Sequence, residues 1–188
     1  MQLPIVVNLV GGPGAGKSSC AAAVYSHLKF LGINCELVRE VAKDLAWQGL
    51  LDGERPVDEL YILAKQNNLQ HNLVGCVDVI ITDAPLMLKH VYPMEDYPAW
   101  HGLVKTLAGR YNNCIYSLER KKDYVSAGRV QTEQEAKDMD EALRKCLNDY
   151  GYKFDIVAGN SIGVEYIVKD VVEHLKKVPL YSQRNFKI

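Results

Sequence analysis

"NLVGGPGAGKSSC", residues 8–20, carries the reading of this chain. Within it, Gly11-x-x-x-x-Gly16-Lys17-Ser18 matches the phosphate-loop pattern. The flanks give the match its weight. The apolar, β-branched run "PIVVNLV" (4–10) comes before it and reads as a strand buried on both faces. A helix opens at Lys17, adding unpaired N–H groups and the positive end of a dipole. Glycines suit such a loop because its backbone N–H groups must turn inward around phosphate oxygens, where a Cβ would obstruct. Gly11, Gly12, Pro13, Gly14, Ala15, Gly16, Lys17, Ser18 and Ser19 are therefore the expected nucleotide-binding residues. Lys17 supplies a charge for the β and γ phosphates, and the Ser18 hydroxyl a ligand for Mg²⁺.

Outward from the loop, strands and helices alternate. Val24, Leu28 and Leu31 share one helical stripe that Gly32 stops. "NCELV" (34–38) is a second strand, followed by a helical stretch over 41–48 and a break at "DGERP". Pro56 is placed to begin a helix running to Gly75. "VDVIIT" (77–82) is a third strand ending at Asp83, and "AWHGLVKTLAGRY" (99–111) a helix with Trp100, Val104, Leu107 and Tyr111 on one face. "CIYSL" is a fourth strand. Thr132 and Glu135 then form a capping-box pattern before a helix carrying Ala136, Met139, Leu143, Cys146 and Tyr150. "FDIVA" is the fifth strand, and Val164, Ile167, Val168, Val171 and Leu175 mark a last helix. The expected fold is α/β: a doubly wound, five-stranded parallel sheet with helices on both faces. One domain over 1–178 is expected, with a short basic lid at about 119–131 and a tail at 179–188.

The bulk properties exclude more than they assign. A chain of 188 residues can bury a core without disulfides or metals, and a net charge of −1 gives no overall attraction to polyanions. The five cysteines are scattered and never spaced C-x-x-C, which argues against zinc and disulfide frameworks and suits a reducing cytoplasm. The apolar run at 3–10 is too short to span a membrane, so no membrane partner is expected. A homodimer stays open beside a monomer.

Three features favour phosphoryl transfer over hydrolysis, and Asp83 adds a candidate metal or acceptor ligand beside them. No Asn-Lys-x-Asp guanine-reading motif lies near the fourth or fifth strand. The loop holding Arg120, Lys121, Lys122 and Arg129 can close over a triphosphate and place guanidinium on developing charge; a solvated charge run is the alternative. Glu40 falls at the carboxyl edge of the sheet, where it can act as general base or merely stabilise a helix dipole. Asp83, ending the third strand, can hold Mg²⁺ or orient an acceptor hydroxyl, or simply form a turn. The expected catalytic set is Lys17, Glu40, Asp83, Arg120 and Arg129, with Ser18 and Asp83 at the metal.

Read together, the phosphate loop, "ELVREVAKDLAW", "LAKQNNLQ", "VDVIITDAPL" and "GRVQTEQEA" resemble small phage-encoded P-loop kinases of the thymidylate-kinase-like superfamily. Within that group the likeness points to phage 5-hydroxymethyluridine DNA kinases, and it spans about residues 3–165. The resemblance implies an ATP-dependent transfer to a hydroxyl of a nucleoside, a nucleotide or a modified DNA base. It also implies a lid carrying Arg129 and Gln131, and an acceptor side near Glu40 and Gln66. Two departures stand out. Asp83 is followed by Ala84 where many nucleoside kinases carry Asp-Arg, and Arg39-Glu40 by Val41 where thymidylate kinases carry Arg-Glu-Pro.

For the acceptor, the residues alone offer Arg39, Glu40, Gln66 and Gln70. Gln66 and Gln70 lie one turn apart, and cleft amides can read a base edge, though they are also ordinary on an exposed helix. Trp47, Tyr61 and Tyr111 could stack a base or belong to the core. A deoxynucleoside monophosphate kinase and a regulatory ATPase acting on a protein partner are the rival readings.

Overall fold

The computed structural model describes residues 3–51, 56–92, 94, 96–121 and 133–178. β1 (Ile5–Val10) is buried along its whole length, as its unbroken apolar run requires. It pairs in parallel with β3 (Val79–Thr82) on one side and β4 (Asn112–Glu119) on the other. β2 (Cys35–Val38) and β5 (Asp155–Ala158) complete the edges, giving the order β2-β3-β1-β4-β5. Ile5, Val7 and Leu9 point to one layer, where they pack with Val24 and Leu28 of α1 (Lys17–Phe30) and Ile167 and Val171 of α6 (Ser161–Lys176). Val6 and Val10 point to the other, with Trp100 and Val104 of α4 (Trp100–Ala108) and Leu143 and Leu147 of α5 (Glu133–Asp149). The period-2 alternation of one strand thus feeds both cores. α2 (Val41–Trp47) and α3 (Glu59–His71) build a smaller cluster from Val41, Leu45 and Ile62.

Several boundaries move for identifiable reasons. Pro56 does not begin a helix: α3 starts at Glu59, capped by Asp58, whose carboxylate accepts the Leu60 N–H at 2.6 Å. β4 extends past "CIYSL" at both ends, because it lies between β1 and β5 and pairs with both. Residues Leu86–Val91 form a 3-10 helix that no periodicity announced. Thr132 of the capping-box pattern, the lid beyond residue 121 with Arg129 and Gln131, and the tail at 179–188 lie outside the described residues. No described helix is long and apolar enough to cross a membrane.

α6 starts hard against the strand that feeds it. Asn160 caps it through Oδ1, and a Cβ on Gly163 would overlap the carbonyl oxygen of Ala158. Gly163→Ala is expected to destabilise the protein by roughly 2–4 kcal/mol, since backbone rather than a pliable side chain must yield. Chemical denaturation of the two proteins measures it, and an unchanged midpoint would refute it.

Candidate active site

The site forms at the carboxyl ends of β1, β3 and β4, where the connection leaving β1 runs to β2 on one side while those leaving β3 and β4 run to the other, and a crevice results. Gly14 and Gly16 take positive φ values of 78° and 97°, conformations that glycine adopts without strain. Gly16 occupies the N-cap of α1 with no side-chain cap, so no side chain competes for the leading amides of that helix. Gly12 meets a different need: an added Cβ would lie 2.9 Å from the carbonyl oxygen of Ala136 and 3.0 Å from Asp140 Oδ1. Lys17 folds back over its own loop, donating to the carbonyls of Gly11 at 2.6 Å and Gly12 at 3.1 Å. Burial lowers its pKa, with Glu40, Asp83 and Asp140 pulling the other way.

β3 delivers Asp83 beside the loop. Its Oδ2 accepts the Ser18 hydroxyl at 2.7 Å, while Oδ1 is buried with no hydrogen-bond partner among the described residues. An orphaned carboxylate oxygen beside a serine hydroxyl suits a hard divalent cation, whose preferred ligands are oxygens. The strand-end turn uses Thr82 instead, whose Oγ1 accepts the Ala84 N–H at 3.1 Å.

A cavity of about 240 Å³ adjoins the loop. Lys17, Gly11, Gly12 and Asp83 line its end next to the loop, and Glu40, Ile62, Tyr92, Met139 and Leu143 line it elsewhere. Glu40 is the N-cap residue of α2, yet its carboxylate makes no capping bond and lines this cavity. Burial raises its pKa and Asp83 adds to the rise, against the pull of Lys17. Lys89, also in the lining, pairs with Glu59 at 2.5 Å. Across the loop, a second cavity of about 380 Å³ is lined by Ser19, Cys20, Gly159, Asn160 and Ser161, among others.

The expected acceptor residues separate. Gln66 lines the cavity, but its amide is engaged at both ends: Oε1 accepts the Val41 N–H at 3.0 Å and Nε2 donates to the Arg39 carbonyl at 3.2 Å. It holds the turn that carries Glu40. Gln70 is buried away from the cavity lining, and Arg39 is exposed in a surface pair with Asp44 at 3.1 Å. Trp47 and Tyr61 are exposed outside the lining, and the Tyr111 hydroxyl donates to Asn67 at 2.9 Å within the fold.

Arg120 lies against α5: Nε reaches Asp140 Oδ2 at 2.5 Å and Nη2 donates to the Ala136 carbonyl at 3.0 Å. Asp140, Lys89 and Tyr92 were not singled out by the sequence, and Met139 and Leu143 were read there only as positions of a helical stripe. Of the first three, Asp140 alone left a trace there, a carboxylate set inside the apolar stripe of a helix.

The family profile described as AAA domain matches residues 6–163. No curated protein matches. Among solved structures, the crystal structure of the NadR protein in complex with NR superposes with a TM-score of 0.67 at 17% identity. That alignment covers 99% of this chain and 54% of the other, so this chain spans about half of that structure. At such identity the likeness speaks to the fold.

Proposed function

Because the chain belongs to the AAA domain family of P-loop proteins, we propose that it is an ATP- and Mg²⁺-dependent kinase whose acceptor is a hydroxyl of a nucleoside- or nucleotide-type molecule. One observation carries this reading: the phosphate loop opens directly into a largely apolar chamber that also contains a carboxylate of raised pKa. An ATPase that only signals to a protein has no need of a largely apolar cavity next to its phosphate loop. The volume of about 240 Å³ is just short of the usual small-molecule range of roughly 300–1,000 Å³ and suits one ring system. The NadR structure, which shares this fold, is a complex with NR, and this reading places a small-molecule acceptor in the corresponding kind of cavity.

In the proposed reaction, the loop amides and Lys17 hold the β and γ phosphates, and the cation would sit at Ser18 and Asp83, neutralising charge between them. Glu40 accepts the acceptor hydroxyl's proton, that oxygen bonds to the γ-phosphorus, and the bond from phosphorus to the β–γ bridging oxygen breaks, releasing ADP. Arg120, and Arg129 from the lid at 119–131, supply guanidinium to the transferring group. We take residues 1–178 to act as one kinase domain. The resemblance to phage kinases makes 5-hydroxymethyluracil in DNA the most specific acceptor, reached only by flipping the base from its stack. Lys89 in the chamber lining favours a second reading, a deoxynucleoside monophosphate kinase, because its ammonium could take an acceptor phosphate.

Labelled ATP supplied with thymidine, thymidine monophosphate or a hydroxymethyluracil-containing oligonucleotide separates these. Label should move to one acceptor; ATP turnover indifferent to all three and to their omission would defeat the kinase reading. The pH profile carries a further expectation. A base must be deprotonated, so transfer should fall as pH drops through the raised Glu40 pKa, on a limb above the ordinary carboxylate range, and Glu40→Gln should erase that limb. An identical limb in the variant would remove Glu40 from the mechanism.

A further inference from the structure

Asp140 is 7% exposed and touches both halves of the site without lining the cavity. Its Oδ1 accepts the Gly12 N–H at 2.5 Å, a bond to the backbone of the phosphate loop itself. Its Oδ2 takes Arg120 Nε, also at 2.5 Å, and both side chains are nearly closed to solvent, at 10% and 14% exposure. Arg120 is tied to the same helix a second time through the Ala136 carbonyl. One residue before Asp140 and three after it, Met139 and Leu143 line the acceptor cavity. A single carboxylate therefore joins three parts: the loop that holds phosphates, the arginine that follows β4, and the helix that walls the acceptor chamber.

The chemistry of this arrangement limits what Asp140 can be. Both its oxygens are engaged, so it is poorly placed to take a proton from an acceptor. Its charge is compensated by a guanidinium, which makes the buried pair tolerable but gives it little net stabilising value of its own. Two bonds to α5 fix the planar arginine in orientation. Three of its five N–H donors are not engaged by any described residue, a set suited to phosphate oxygens.

We propose that Asp140 is a positioning residue that presents Arg120 to the terminal phosphate of the bound triphosphate and fixes that arginine in register with the acceptor wall of α5. This rests on the triphosphate reading of the loop. Arg120 touches the nucleotide and Asp140 acts through it, so the site should distinguish a triphosphate from a diphosphate by way of the pair.

The experiment measures affinities of the magnesium complexes of ADP and of the non-hydrolysable triphosphate AMP-PNP by calorimetry, for the wild-type protein, Asp140→Asn, Arg120→Ala and the double variant. Asp140→Asn keeps a side-chain oxygen for Gly12 but loses the charge that orients Arg120. It should cut the preference for the triphosphate about tenfold while changing ADP affinity less than about threefold, and should add nothing once Arg120 is alanine. Asp140→Glu should restore part of the preference. Equal weakening of both nucleotides, an unchanged preference, or a full further loss in the double variant would overturn the proposal and leave Asp140 a packing residue. Absence of any triphosphate binding by the wild-type protein would instead sink the reading of the loop, and this proposal with it.

Discussion

Lys17→Met should lower phosphoryl transfer by roughly 10³-fold while leaving the fold as stable as before or slightly more so. The two halves of that expectation share one cause. The ammonium is partly withdrawn from water, and that desolvation lowers its pKa, so the folded state bears a cost for keeping it charged. Its two hydrogen bonds, to the Gly11 and Gly12 carbonyls, bring it back over the loop rather than into the core. A methionine of similar length fills the space without a charge to desolvate. What disappears is the cation that would face the β and γ phosphates. Transfer assays and thermal melts on the same preparation check both parts. Wild-type transfer in the variant would refute the role of Lys17, and a collapsed melt would show that the ammonium is structural.

Asp83→Asn is expected to reduce transfer by about 10²–10³-fold and to shift the Mg²⁺ dependence at least about tenfold towards higher concentration. Asparagine keeps the shape and can still take the Ser18 hydroxyl through its carbonyl oxygen, so the 2.7 Å contact has a substitute. It removes the negative charge and replaces one carboxylate oxygen with an amide nitrogen that cannot ligate a hard cation. The partnerless Oδ1 marks that loss as specific, because no described neighbour depends on it. A Mg²⁺ titration of ADP formation in the two proteins decides the matter. Superimposable curves would place the cation elsewhere.

The sheet was legible because its signals are local. The central strands β1 and β3 are unbroken, fully buried apolar or β-branched runs apart from Asn8, and the five stripe positions named for α6 are all buried. The phosphate loop was legible for the same reason, since its glycines answer backbone needs within a few residues. The acceptor side was not. Gln66 reads as a recognition amide from its helix neighbours, and only the approach of the 39–41 turn shows both ends of that amide engaged with main chain. Asn67 likewise meets the Tyr111 hydroxyl across 44 residues of sequence. Asp140 and Gly12 are 128 positions apart, and no periodicity reports a contact of that separation. The 3-10 helix at Leu86–Val91 carries Lys89 into the chamber and leads directly to Tyr92, and such segments have no apolar rhythm to betray them.

The Gln66 clamp bears on how such a chain diversifies. The turn that carries Glu40 is held from α3 as well as from the strand before it, so the cavity wall at Glu40 is tied to a second scaffold. On the proposed kinase reading, changes in α3 would re-aim Glu40 and alter acceptor choice while the phosphate loop stayed as it is.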